Sequence, residues 1–198
     1  MTRRTALACM RIQPLHKGHT QTINQMIESC ETVILGIGST NVNNKWNPYS
    51  FEDRKMMVQN VFGDRLKIIQ LADLDTQDDN NDWIDYVLEK IYKIGLPDPT
   101  DYFTGSVADS RWYTDRFFLE GTPIQWNTFM IQEQWKNRFK IKDQKRECHI
   151  INRDHNNVPP ATDLRTFLEL GQPDWKEWVP RVNHQLVLDK FPEIYRIK

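Results

Sequence analysis

Cysteine is scarce in this chain of 198 residues: Cys9, Cys30 and Cys148 are odd in number, widely spaced and form no C-x-x-C pair. That argues against a disulfide framework and suits a reducing compartment, so a cytoplasmic location is expected. Long hydrophobic runs are missing as well. No stretch approaches the ~20 apolar residues that span a bilayer, and the apolar run after Arg3 and Arg4 is too short and too interrupted for a signal peptide. Excess charge of one sign is also lacking. Lys and Arg number 26 against 27 Asp and Glu, a net charge of −1, which argues against nucleic acid held by bulk charge. Small anionic ligands are not excluded, because local field matters more to them than net charge. Repeats and low-complexity tracts are absent. What remains is a soluble globular composition, 39% hydrophobic and 27% charged, long enough for one domain with a sizeable core.

The hydrophobic pattern alternates between two periods. Residues 5–12 read as a buried strand, and 17–30 place Ile23, Met26, Ile27 and Cys30 at helical spacing. Residues 32–37 form a second strand ending at Gly38-Ser39. Ser50 then caps a helix, with Asp53 three residues on and Met57, Val58, Val61 and Phe62 on its buried face. Strands are expected at 66–71, 102–104 and 148–151, with helices over about 81–94 and from about 161. Residues 128–146 interleave Lys136, Arg138, Lys140, Lys142, Lys145 and Arg146 with Trp135 and Phe139. They read first as a solvated amphipathic helix, and secondarily as a lid or oligomer contact. Helices over 174–195 are expected to close the core. Strand–helix alternation predicts a parallel sheet covered on both faces, which binds ligands outside the carboxyl ends of its strands.

Every suspicious loop follows a strand, and the most informative is His16-Lys17-Gly18-His19. At a strand-to-helix turn, unpaired N–H groups and the positive end of the helix dipole offer a seat for phosphate. Gly18 permits close approach to the main chain. The alternatives are two surface histidines or a metal site, the latter without further Cys or His nearby in sequence. A dipole contributes at most ~2 kcal/mol, whereas catalysis asks for at least ~8 kcal/mol, so other cations must converge on the site. Arg165 is a candidate. It lies one turn into the helix that Thr162 is expected to cap, where its planar fork suits phosphate.

Residues 11–19, Arg11-Ile12-Gln13-Pro14-Leu15-His16-Lys17-Gly18-His19, resemble the R-x-Q-P-F-H-x-G-H signature of archaeal-type nicotinamide-mononucleotide adenylyltransferases and of their relatives fused to Nudix hydrolases. Residues 47–54 resemble the family's N-P-F-T-x-x-E-R, residues 104–113 its G-x-x-K-D-x-S-S-Y-Y, and residues 161–165 its S-A-T-x-I-R. The order is that of the family across nearly the whole chain. Three departures stand out: Leu15 for phenylalanine, Val107 for lysine, and a probable insertion over about 127–146.

The resemblance implies a Rossmann-like doubly wound α/β domain over 1–198, closed by C-terminal helices over 171–198 and without a Nudix box. It implies adenylyl transfer from ATP to nicotinamide mononucleotide, giving NAD and pyrophosphate, with Mg²⁺ held mainly by substrate phosphates and no protein metal ligand. His16, His19 and Arg165 would be catalytic. Arg11, Gln13, Gly18, Gly105, Thr162 and Arg165 would hold ATP and its phosphates. Gly38, Ser39, Asn47, Arg54, Asn80 and Trp83 would hold the nicotinamide nucleotide. Two of these have structural alternatives: Trp83 as a core residue, and Arg54 paired with acids on its own helix. No membrane or nucleic-acid partner is implied, and a homo-oligomer is compatible. The alternatives in function are a sibling using nicotinic acid mononucleotide or flavin mononucleotide, and a nucleotide-binding regulator without turnover.

Overall fold

The computed structural model describes residues 4–75, 80–105, 109–110, 113, 137–140, 146–151 and 158–197, without side chains at 80, 81 and 137–140. Six strands form one sheet: β1 (Thr5–Met10), β2 (Thr32–Ile37), β3 (Lys67–Gln70), β4 (Asp101–Thr104), β5 (Asn137–Lys140) and β6 (Glu147–Ile150). Their order is β3-β2-β1-β4-β6-β5. The first five in that order run parallel, and β5 pairs antiparallel with β6 at the edge. The helices are α1 (Lys17–Ser29), α2 (Phe51–Phe62), α3 (Asn80–Lys93), α4 (Ala161–Glu169) and α5 (His184–Lys190), with short 3₁₀ turns at Asp174–Glu177, Arg181–Asn183 and Glu193–Tyr195.

Alternation along the strands divides the core in two. Ala6, Ala8, Val33, Leu35 and Ile37 face one layer, where they meet Ile23 and Met26 of α1, Met57 and Val58 of α2, Leu164 of α4 and Val187 of α5. Leu7 and Ile34 face the other, against Ile84, Val87 and Ile91 of α3. Both faces are therefore covered, which is why the strands read as nearly continuous apolar runs. This is a Rossmann-like α/β fold. The chain builds outward from β1 through β2 to β3 and then returns to place β4 on β1's other side. The strand order thus reverses between β1 and β4, and a crevice opens above their carboxyl ends.

Two expectations are corrected. β1 stops at Met10 rather than residue 12, because Ile12 is in the left-handed region (φ 54°) and cannot continue a ladder. Residues 137–140, expected in a helix, form β5. The sequence from Arg138 to Lys142 alternates polar and apolar residues with period two, a strand signature that outweighs the helical reading. Its lysines suit an edge strand, where charge discourages further pairing. Residues 127–136 and 141–145 of the expected insertion lie outside the described residues.

At the opposite end of the sheet from the crevice, Arg4 binds the buried carboxylate of Asp101. It donates from Nε to Oδ2 (3.0 Å) and from Nη2 to Oδ1, and Nη2 also reaches Glu147 (2.8 Å). His149 Nε2 lies 2.8 Å from Asp101 Oδ1, and Thr100 Oγ1 donates to Oδ2 (2.7 Å). Burial alone would raise the Asp101 pKa, but the hydrogen bonds from His149, Arg4 and Thr100 outweigh it and hold the carboxyl well below the usual carboxylate range. The stabilisation is therefore complete above pH ~4 and is lost as pH falls through the depressed folded-state value. Arg4→Ala should cost about 1–3 kcal/mol at pH 7, since it leaves a buried carboxylate short of donors. The gap to wild type should narrow at pH 3. Urea titrations at the two pH values check this, and an unchanged gap would assign Arg4's contribution to packing alone.

Candidate active site

After Met10 the chain leaves the sheet through Ile12 and a cis Gln13–Pro14 bond, buries Leu15, and enters α1 at His16. Instead of a hydroxyl or carboxylate, an imidazole caps this helix. His16 Nδ1 accepts the Gly18 N–H (3.1 Å), and His19 Nδ1 accepts the His16 N–H (3.4 Å), a reciprocal capping box made of two histidines. The ring centroids are 3.9 Å apart. With Nδ1 accepting in each ring, the proton of the neutral form sits on Nε2, so both histidines are fixed in the tautomer that donates from that nitrogen. Gly18 has a second reason to be glycine. A Cβ there would lie 3.1 Å from His16 Cε1 and 3.2 Å from Nδ1, displacing the capping ring.

Arg165 enters from α4. Its Nη1 donates to the Gln13 carbonyl (2.9 Å) and its Nη2 to Thr162 Oγ1 (3.0 Å), tying α4 to the loop before His16. Among the described residues no carboxylate forms an ion pair with it. Burial, and secondarily Arg11, lowers its pKa below the ordinary guanidinium value. Thr162 does not cap α4. Pro160 stands at the N-cap position without a side-chain bond, and the Thr162 hydroxyl is used as an acceptor for Arg165.

These groups meet in a cleft of about 520 Å³ at the carboxyl ends of β1, β2 and β4. Its lining includes Arg11, Gln13, His16, Gly18, His19, Gly38, Ser39, Trp83, Gly105, Thr162 and Arg165, so most of the expected site residues are brought together. That volume suits a small-molecule ligand. Ser39, in the left-handed region (φ 52°), donates from Oγ to Asp73 (2.9 Å), which fixes the wall contributed by the loops after β2 and β3. Trp83 combines its two readings: it lines the cleft and packs on the α3-side core, with its ring 5.6 Å from Tyr86. Asn80 opens α3, and its side chain lies outside the described residues.

Three expected ligand-binding residues turn their polar side-chain atoms to the frame, although Gln13 also lines the cleft. Arg54 is 1% exposed and donates from Nη1 to the carbonyls of Arg11 (2.8 Å) and Gly38 (2.7 Å) and from Nε to that of Ser50 (3.2 Å). It does not line the cleft, and no carboxylate of its own helix pairs with it. Burial pulls its pKa down to about 10, so it remains charged at neutral pH. Gln13 turns both amide atoms onto the Tyr49 backbone, accepting from N–H (3.0 Å) and donating to the carbonyl (3.2 Å). Asn47 is buried beside Asn44 and off the cleft lining. Trp46, by contrast, lines the cleft and carried no motif signal beyond being a tryptophan in a polar loop.

The fold and cleft define an α/β protein with an open cleft where the strand order reverses. Residues 9–167 match the cytidylyltransferase-like family, and the chain belongs to it. It is 24% identical to the nicotinamide-nucleotide adenylyltransferase of Ignicoccus hospitalis over 89% of this chain and 86% of that protein. It is 27% identical to the enzyme of that name from Pyrococcus abyssi, over 86% and 75%. In fold it resembles a bifunctional NMN adenylyltransferase/ADP ribose pyrophosphatase from Francisella tularensis (TM-score 0.65, 22% identity, 98% of this chain and 52% of that one). It also resembles the NadR protein in complex with NAD and AMP-PNP (TM-score 0.60, 18% identity, 93% and 47%). The chain thus spans about half the length of these two structures.

Arg54→Met should leave the Arg11 and Gly38 carbonyl oxygens without this donor, while the Ser50 carbonyl keeps the backbone N–H of residue 54. A loss of about 3 kcal/mol or more is expected in urea denaturation, since each unsatisfied buried acceptor costs ~1–3 kcal/mol. Weakened nucleotide binding at undiminished stability would instead make Arg54 a ligand-contacting residue.

Proposed function

We propose that this protein transfers the adenylyl group of ATP to nicotinamide mononucleotide, giving NAD and pyrophosphate. The observation that carries this reading is the convergence of His16, His19 and Arg165 on one cleft at the point where the strand order reverses. The names of the relatives support the same reading of the substrates. A phosphate oxygen of the mononucleotide attacks the α-phosphorus of ATP, a new P–O bond forms, and the bond to the bridging oxygen of pyrophosphate breaks. The attacking phosphate is already ionised at neutral pH, so no strong base is needed. The protein's task is alignment and stabilisation of charge on the α-phosphoryl oxygens.

The Nε2 donors of His16 and His19 and the fork of Arg165 suit that task. Among the described residues, Arg165 is not spent on a carboxylate. Trp83 offers an aromatic face for the cationic nicotinamide ring. Gly38 and Ser39 at the end of β2 would border the same nucleotide, while Arg11, Gly105 and Thr162 would border ATP. Mg²⁺ prefers phosphate oxygens and water, and Asp73 and Asp109 are the carboxylates lining the cleft that would meet its water shell. When bound, it would neutralise phosphate charge. The Asp101, Glu147 and His149 cluster stands at the other end of the sheet with Arg4 already seated in it, so it does not serve this reaction.

The test is incubation with ATP, Mg²⁺ and nicotinamide mononucleotide, following NAD and pyrophosphate, with nicotinic acid and flavin mononucleotides as competing acceptors. NAD should form. His19→Ala and Arg165→Ala should each lower kcat about a hundred- to a thousandfold, while weakening ATP binding far less. Turnover with another acceptor alone would move the protein to a sibling activity. Tight NAD binding with no turnover on any acceptor would make it a regulator.

A further inference from the structure

Arg165 is buried to 7% exposure, yet every group that holds it is neutral: the Gln13 carbonyl, the Thr162 hydroxyl and, 5.8 Å from its Cζ, the ring of Trp46. Its Nε is also buried and has no hydrogen-bond partner. Trp46 is unusual in the opposite sense. Although large and apolar, it is 49% exposed, and it lines the same cleft. The loop holds it there. Its N–H donates to Asn44 Oδ1 (2.9 Å), and Asn44 and Asn47 pair as an isolated antiparallel bridge. The Lys45 ammonium sits 4.6 Å from the centre of the same ring.

We propose that Trp46 is a positioning residue for Arg165, supporting the guanidinium at the cleft wall without neutralising it. The physical reason lies in what the partner is. A carboxylate would hold the guanidinium more strongly but would have to be displaced by, and would repel, an incoming phosphate. The negative face of an indole attracts the cation, shields it from water and carries no net charge to oppose the ligand. The buried, unpartnered Nε is then a donor left for an anion, and the Lys45 ammonium adds a second positive charge at the same ring. The ligand class is a polyphosphate. Naming it as the triphosphate of ATP rests on the function proposed above, whereas the coupling between Trp46 and Arg165 does not.

The experiment measures binding of inorganic pyrophosphate by calorimetry, in the presence of Mg²⁺, to wild type, Trp46→Ala, Trp46→Phe, Arg165→Ala and the Trp46→Ala/Arg165→Ala double variant, with NAD synthesis and melting temperature followed in parallel. Trp46→Ala should weaken pyrophosphate binding about three- to tenfold, the range of a partly exposed cation–π contact, and Trp46→Phe should restore most of it. In the Arg165→Ala background, Trp46→Ala should add no further loss, because its effect runs through the arginine. Melting temperatures should stay close to wild type, since the indole is half exposed. Equal losses with and without Arg165 would overturn the proposal by making Trp46 a direct ligand contact. Unchanged binding in Trp46→Ala, or wild type that binds no pyrophosphate, would overturn it outright. Pyrophosphate binding with the expected coupling but no NAD synthesis would leave the Trp46–Arg165 pair standing and remove only the proposed reaction.

Discussion

The cleft depends on a single buried cation that never faces it. Arg54 reaches from α2 to the carbonyls of Arg11 and Gly38, the first residues beyond the ends of β1 and β2, and to Ser50 at the start of its own helix. The first two belong to chain segments that have just left the ladder, where the sheet no longer supplies donors, whereas the Ser50 carbonyl also takes the Arg54 N–H. A guanidinium suits the position because its rigid fork serves several acceptors at once and keeps its charge even when desolvated. The Gln13–Tyr49 amide pair fastens the same two loops a few residues further on. Together they fix where the β1 loop ends and α1 begins, and hence where the histidines stand.

The histidine turn shows how structure and chemistry share atoms. Each imidazole spends Nδ1 on the helix terminus, and that expenditure determines which nitrogen donates. The cap and the anion seat are therefore the same device. A serine cap would satisfy the backbone equally well but would leave nothing over for a ligand. Gly18 belongs to the same arrangement, since a Cβ there would crowd the His16 ring where it folds over the first turn.

Sequence and structure agree where the interactions are local. Apolar runs and helical spacing placed five strands and the long helices to within a few residues, because burial of one face imposes its period on the chain. The Ser50–Asp53 capping box, a contact over three residues, was legible for the same reason. The H-x-G-H turn and Arg165 were read as one site and do share a cleft. What the sequence could not convey was the use made of polar side chains across long separations. Arg54 reaches Arg11 43 residues away, Gln13 holds Tyr49 across 36 residues, and Arg4 finds Asp101 97 residues along the chain. No spacing rule distinguishes a motif residue that touches ligand from one that braces the loop holding it. β5 was missed for a different reason: its four residues are short, basic and at an edge, where the requirement for burial that makes other strands legible is weakest.

This division of labour resolves an apparent conflict between the net charge and the chemistry. A chain with net charge −1 must still attract polyanions if it carries out the proposed reaction. Bulk charge cannot do that, but the two buried arginines, Arg54 and Arg165, are each solvated by backbone and neutral groups rather than by acids. Arg54 rests on three carbonyls, and Arg165 on a carbonyl, a hydroxyl and an indole. Acids stand nearby, with Asp73 and Asp109 on the cleft lining, but among the described residues none forms an ion pair with Arg54 or Arg165. In a low-dielectric setting a cation held by dipoles projects far more field than one held by a carboxylate. Keeping the buried cations off carboxylates, rather than accumulating positive charge, is how a protein that is nearly neutral overall would serve the proposed phosphate chemistry.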